Sequence, residues 1–128
     1  MGERAIMEVI PMRKALYLIF AVIALCVASC TDTAFRYNKE INIAERLIQT
    51  NADSAMAILD HIDPTNLKVD SLRAKYHYLL AFGHMRQNRS MIGDSLVSFA
   101  HKYYSGKDVV RDVRSGTAYA WYKFWVGD

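Results

Sequence analysis

Apolar and polar positions change rhythm along this chain. From Ala15 to Val27 no charge interrupts an apolar run, and Arg13-Lys14 stands directly before it. From Lys39 onward the apolar residues recur at intervals of three and four, the spacing of one helical face. No segment alternates strictly, as a half-buried strand would. The pattern predicts an all-α domain over residues 39–128, preceded by an N-terminal signal-type helix.

In the first helix of that domain Ile41, Ala44, Leu47 and Ile48 share a face. Asn51-Ala52 breaks it, and Asp53-Ser54 offers a side-chain oxygen to cap the next helix, whose Ala55, Ile58 and Leu59 face inward. His61-Ile62-Asp63-Pro64 closes that helix, because the residue before a proline is pushed out of the α region. A longer helix is predicted from Asp70 to Gln87, with Leu72, Tyr76, Leu79 and Gly83 on one stripe and Asn88-Arg89-Ser90 as its turn. Ile92, Leu96, Phe99 and Tyr103 stripe a fourth helix, which stops at Ser105-Gly106, where glycine readily takes the left-handed conformation. The fifth runs from Lys107 towards the end, with Val109, Val113, Gly116, Ala120 and Phe124 as its expected inner face.

The N-terminal order of charge, apolar run and small residues is that of a secretory signal. The run is shorter than the roughly 20 residues that cross a bilayer as a stable span, although a permanent anchor helix is the alternative. Val27-Ala28-Ser29-Cys30 resembles the lipobox of bacterial lipoproteins, a branched aliphatic and two small residues before a cysteine. The resemblance implies that residues 1–29 are a signal peptide recognised through Arg13, Lys14, Val27, Ala28 and Ser29. It implies further that Cys30 is the lipidated residue, and that residues 30–38 tether the domain to the membrane. Two or three acyl chains hold a protein on a membrane far more firmly than one. Glu3 and Glu8 are unusual in a signal, and a start at Met12 would place Met-Arg-Lys immediately before the run.

Cysteine usage narrows the chemistry. Of the two cysteines, Cys26 lies in the segment expected to be removed and Cys30 carries lipid, so disulfide scaffolds, thiol catalysis and cysteine metal clusters are excluded together. The full chain has a formal net charge of +3. Loss of Arg4, Arg13 and Lys14 against Glu3 and Glu8 leaves about +2, scattered rather than gathered on a face, which argues against nucleic acid. What remains is one small domain with a single modest core.

Asp53 to Leu59 and Asp94 to Ala100 form a degenerate repeat with a period of about 40 residues, each copy following a helix and a short turn, which is the rhythm of an α-solenoid. With Ala74 to Leu80, Tyr103-Tyr104 and Ala118 to Tyr122 these segments resemble the tetratricopeptide-repeat family, and more narrowly the helical-repeat lipoproteins of Gram-negative envelopes. The resemblance implies antiparallel helical hairpins stacked as a short solenoid. Tyr119, Trp121, Tyr122, Phe124 and Trp125 crowd about two turns at the end of the chain and point around most of the helix. Such a surface is expected to be covered, either by a further helix if the frame continues past Asp128, or by a partner or second copy.

Chemistry is sparse. His77 and His84 lie two turns apart on one helix, but no metal-ligand spacing accompanies them, and they are expected to be rim histidines, as are His61 and His101. Asp53, Asp70, Asp94 and Asp108 sit where helices begin, a position the helix dipole explains. No nucleophile elbow, phosphate-cradling loop or dinucleotide fingerprint occurs. No metal, no cofactor and no catalysis are expected. The leading expectation is a lipid-anchored helical-repeat module binding a protein or peptide in the cell envelope, at the outer rather than the inner membrane. The alternatives are the periplasmic sensor part of a longer signalling regulator and a glycan-binding lipoprotein.

Overall fold

The computed structural model describes the backbone of residues 2–128 and the side chains of residues 12–25 and 33–128. The described chain is all-helical. Its elements are α1 (Gly2–Leu47), α2 (Ala52–Asp60), a single 3-10 turn (Pro64–Asn66), α3 (Asp70–Arg86), α4 (Val97–Tyr104) and α5 (Val109–Val126). They divide into two compact units, Met1–Phe35 and Arg36–Asp128.

Within the first unit the described side chains are exposed, Arg13 and Lys14 among them, except for the half-buried Thr33. Leu16, Tyr17, Phe20 and Ile23 show between 52% and 74% of their surface, so this apolar stretch builds no core of its own. Among the described residues no helix is long and apolar enough to cross a membrane. Val27, Ala28, Ser29 and Cys30 lie outside the residues whose side chains are described.

The second unit begins before Lys39, since Tyr37 is already buried in its core and its hydroxyl accepts a hydrogen bond from Asn66 Nδ2 at 3.4 Å. Ile41, Ala44 and Ile48 follow on the same face with no exposed surface, as their spacing predicts. The cap of α2 is Asn51 rather than Asp53: the Asn51 side chain accepts the Ser54 N–H at 3.1 Å. Asp53, displaced into the first turn, accepts instead from Gln87 Nε2 at 2.7 Å and ties α2 to the end of α3. Asp63 caps the 3-10 turn through its bond from the Thr65 N–H, and Pro64 occupies the first position, where a missing N–H costs nothing.

Helix α3 is the centre of the unit, packed by α2, α4 and α5. Its buried residues are therefore not one stripe. Tyr76, Leu79 and Gly83 are inside as the periodicity predicts, but so are Ala74, Tyr78, Ala81 and Phe82. Burial on several sides erases the amphipathic signal that would have marked Tyr78 as core.

Two predicted stripes face the other way. In the fourth segment Ile92 is 65% and Leu96 45% exposed, while Met91, Val97, Ala100 and Tyr104 enter the core. The helix itself is short, starting only at Val97. Phe99 and Tyr103 are half-buried and each is covered by a cation, Arg73 at 5.1 Å and Lys107 at 4.0 Å from the ring centres. In α5 the correction is larger. Val109, Val113 and Phe124 are 81%, 63% and 75% exposed and Ala120 is exposed too, whereas Ser115 and Ala118 are buried and Tyr119 and Tyr122 pack on the core. Gly116 sits under the His101 ring, where an added Cβ would lie 3.0 Å from the nearest ring carbon.

Candidate functional site

The inward face of α5 is polar at its start because it meets a carboxylate. Glu45, projecting from α1, accepts two hydrogen bonds from the Arg111 guanidinium, Nε at 2.9 Å and Nη2 at 2.7 Å, and a third from the Tyr78 hydroxyl. Arg111 also donates Nη1 to Asp108 at 2.8 Å, and Asp108 caps α5 by accepting the Arg111 N–H. Lys75 donates to Asn42 Oδ1 at 2.8 Å alongside. Glu45, Asp108 and Arg111 floor an open cleft of about 500 Å³, rimmed by Arg46, Gln49, Val110 and Arg114.

Burial works to raise the Glu45 carboxyl, but the bonds from Arg111 and Tyr78 and the charge of Lys75 outweigh it and hold it below the ordinary range. Burial pushes the Tyr78 phenol far up, and its bond to Glu45 pushes it further. Burial likewise lowers Lys75. The bond to Glu45 is what most raises Arg111. A carboxylate clamped ionised by three donors neither gives nor takes a proton near neutral pH, so the arrangement is a clasp between α1, α3 and α5 rather than an acid–base site.

A second polar contact lies on the opposite side of α3. His84 Nδ1 and Asp94 Oδ2 are 2.8 Å apart, and Asp94 is only 7% exposed. Asp94 is thus not the helix-start acid that its position implied. α4 starts later, at Val97, and has no side-chain cap. Nor is His84 a solvated histidine. The fold supplies the carboxylate that sequence spacing concealed. A small hollow of about 210 Å³ adjoins Asp94, lined by Tyr76, His77, Leu80 and Val97 among others, with no Ser, Thr or Cys among its described lining residues to serve as a nucleophile. Among the described residues no group of three or more His, Cys, Asp or Glu could hold a metal ion.

Burial first, and the charge of Arg73 second, hold His77 below its ordinary value of 6.5. This shift and that of Glu45, whose ordinary value is 4.5, are both depressions, so in each window the unfolded chain binds more protons than the folded one. The stability each group confers is complete above its ordinary value and is lost as pH falls towards the folded value. Thermal melting followed from pH 8 to pH 3 should therefore show one loss beginning below 6.5 and a second below 4.5. The His77→Gln variant should lack the first, and an unchanged first step in that variant would assign it elsewhere.

The predicted aromatic interface is divided by the structure. Tyr119 and Tyr122 stack on one another at 6.5 Å and pack on the core, whereas Trp121, Phe124 and Trp125 are 48%, 75% and 40% exposed. With Val109, Val110 and Val113 the exposed members form an apolar stripe on the outer side of α5, and Ala120, Trp121 and Phe124 line an open hollow of about 250 Å³ there. The valines were legible as part of a stripe; what the sequence lacked was any sign of which way it faces. No protein-family model matches the chain, and no curated protein or solved structure matches it either.

Proposed function

We propose that this chain is a non-catalytic helical module that binds protein in the bacterial cell envelope, held at the membrane through acyl chains on Cys30. The single observation that carries the binding half is the outer stripe of α5, an apolar surface that a domain of this size does not leave to water without a use. The anchoring half rests on the lipobox-like Val27-Ala28-Ser29-Cys30 that follows the basic pair and apolar run. Support for the non-catalytic reading comes from the polar clusters, in which the carboxylates of Glu45 and Asp94 are already engaged by Arg111, Tyr78 and His84. The succession of α2 with α3 and α4 with α5 is compatible with stacked hairpins of tetratricopeptide type.

Metabolic labelling with a palmitate analogue tests the anchor. The intact chain is expected to take up label and sediment with membranes, and Cys30→Ser to lose both the label and the cleavage that follows lipidation of the thiol. Full labelling of the Cys30→Ser variant would end the lipoprotein reading.

A further inference from the structure

The outer stripe of α5 is bulky at both ends and small in its middle. Val109 stands near its start and Phe124 near its finish, and the exposed residues between them, Thr117 and Ala120, are small. At 3.6 residues per turn, Val109, Val113, Thr117, Ala120 and Phe124 fall within about a quarter of the helix circumference.

We propose that this stripe is covered by the α5 of a second copy of the chain, packed antiparallel about a two-fold axis that passes beside Thr117, midway between Val113 and Ala120. The proposal deepens the reading of this face as a binding surface, and rests on it. About that axis Phe124 of each copy lies over Val109 of the other, and Ala120 lies over Val113. The hollow of about 250 Å³ between Ala120, Trp121 and Phe124 is then filled by the second copy's valines.

The flanks agree with the same axis. Asp112 and Lys123 share one edge of the stripe, and antiparallel packing sets each Asp112 against the Lys123 of the other copy. Arg114, on the opposite edge, meets the indole of Trp121, a favourable cation–aromatic pair. A two-fold interface repeats each of these contacts, so a modest patch counts twice. A stable interface buries at least about 1,200 Å² in all, so each copy must supply about 600 Å², drawn here from side chains as open as Val109, Val113, Trp121 and Phe124, which are 81%, 63%, 48% and 75% exposed.

The test uses the full chain, purified from membranes in mild detergent and sized by light scattering, together with variants at exposed positions whose helix content is checked by circular dichroism. The intact chain is expected at twice the mass of one polypeptide. Val113→Asp and Phe124→Asp, each burying an unpaired charge at the interface, are expected to weaken association at least ~100-fold and run as single chains. Thr117→Cys, next to the axis, is expected to form a disulfide-linked dimer in the oxidising envelope, and Lys102→Cys on α4 is not.

A single-chain mass for the intact protein overturns the proposal, as does a dimer that survives both aspartate substitutions. If Thr117→Cys links only to a different protein, the second copy is excluded while the face remains a binding surface. If Thr117→Cys links to nothing and the intact chain is monomeric, the second copy is excluded.

Discussion

Replacing Glu45 by alanine is expected to cost the folded unit about 3 kcal/mol, a large share of the roughly 5–15 kcal/mol that holds a small domain together. The truncation leaves the Arg111 guanidinium without its two-pronged acceptor and strands the hydroxyl of Tyr78, whose side chain is fully buried. Loss of a buried pair's partner costs more than the pair contributes, because the survivor keeps its desolvation without its bonds. Arg111 retains 30% side-chain exposure and its bond to Asp108, which keeps the figure at the lower end of such losses. Glu45→Gln preserves an acceptor and should cost less than half as much. In the double variant Glu45→Ala, Arg111→Met the stranded charge is gone and part of the loss returns. Urea midpoints at constant slope measure all three. Equal stability of Glu45→Ala and the intact chain would show that the clasp is ornamental.

A valine at Gly83 is expected to destabilise by about 3 kcal/mol despite valine's better helix propensity, because the space for it is already filled. A Cβ built there would lie 2.1 Å from Met56 Sδ, 3.0 Å from Met56 Cγ and 3.2 Å from Ile48 Cδ1. Met56 is 1% exposed and Ile48 fully buried, so neither side chain can swing into solvent to make room. Gly83 is thus the point at which α3 takes the side chains of Ile48, one residue past α1, and of Met56 on α2 against its backbone. Met56→Ala alone should destabilise through the cavity it leaves. In combination with Gly83→Val the two losses should fall short of additivity by at least ~1 kcal/mol, since one change creates the space the other needs. Strict additivity would mean that the two positions do not touch.

The helical class and most of the breaks were legible from local chemistry. Asn51, Asp63-Pro64, Asp70 and Gly106 each act within a few residues of themselves, and Gly106 does adopt a positive φ of 75°. Facing was less legible, because it depends on a neighbour far along the chain. In α5 the apolar stripe of Val109, Val113, Ala120 and Phe124 is real, yet the side turned inward carries Arg111 and Ser115. Arg111 is drawn in by Glu45, and Ser115 lies 3.3 Å from His101 Nδ1. Hydropathy weighs a charged residue as surface unless its partner is known, and the partner here is 66 positions away. The same blindness hid the His84–Asp94 contact: both residues look like polar punctuation, and only the path of the chain between α3 and α4 brings them together. The fourth segment was misread for a related reason. Its helix is short, so Met91, Val97 and Ala100 outrank the longer stripe of Ile92, Leu96, Phe99 and Tyr103.

The clasp also bears on how the unit assembles. The other side-chain hydrogen bonds between its elements close loops of 37 residues or fewer, whereas Glu45 to Arg111 closes one of 66. Loop closure costs about 0.6 kcal/mol more for each doubling of length, so this contact is expected to form after the shorter loops have docked. A contact made late is absent from the barrier to folding and present in the barrier to unfolding. The stability lost in Glu45→Ala therefore belongs in a faster unfolding rate, with the folding rate nearly untouched, and the clasp acts as the molecule's brake on opening.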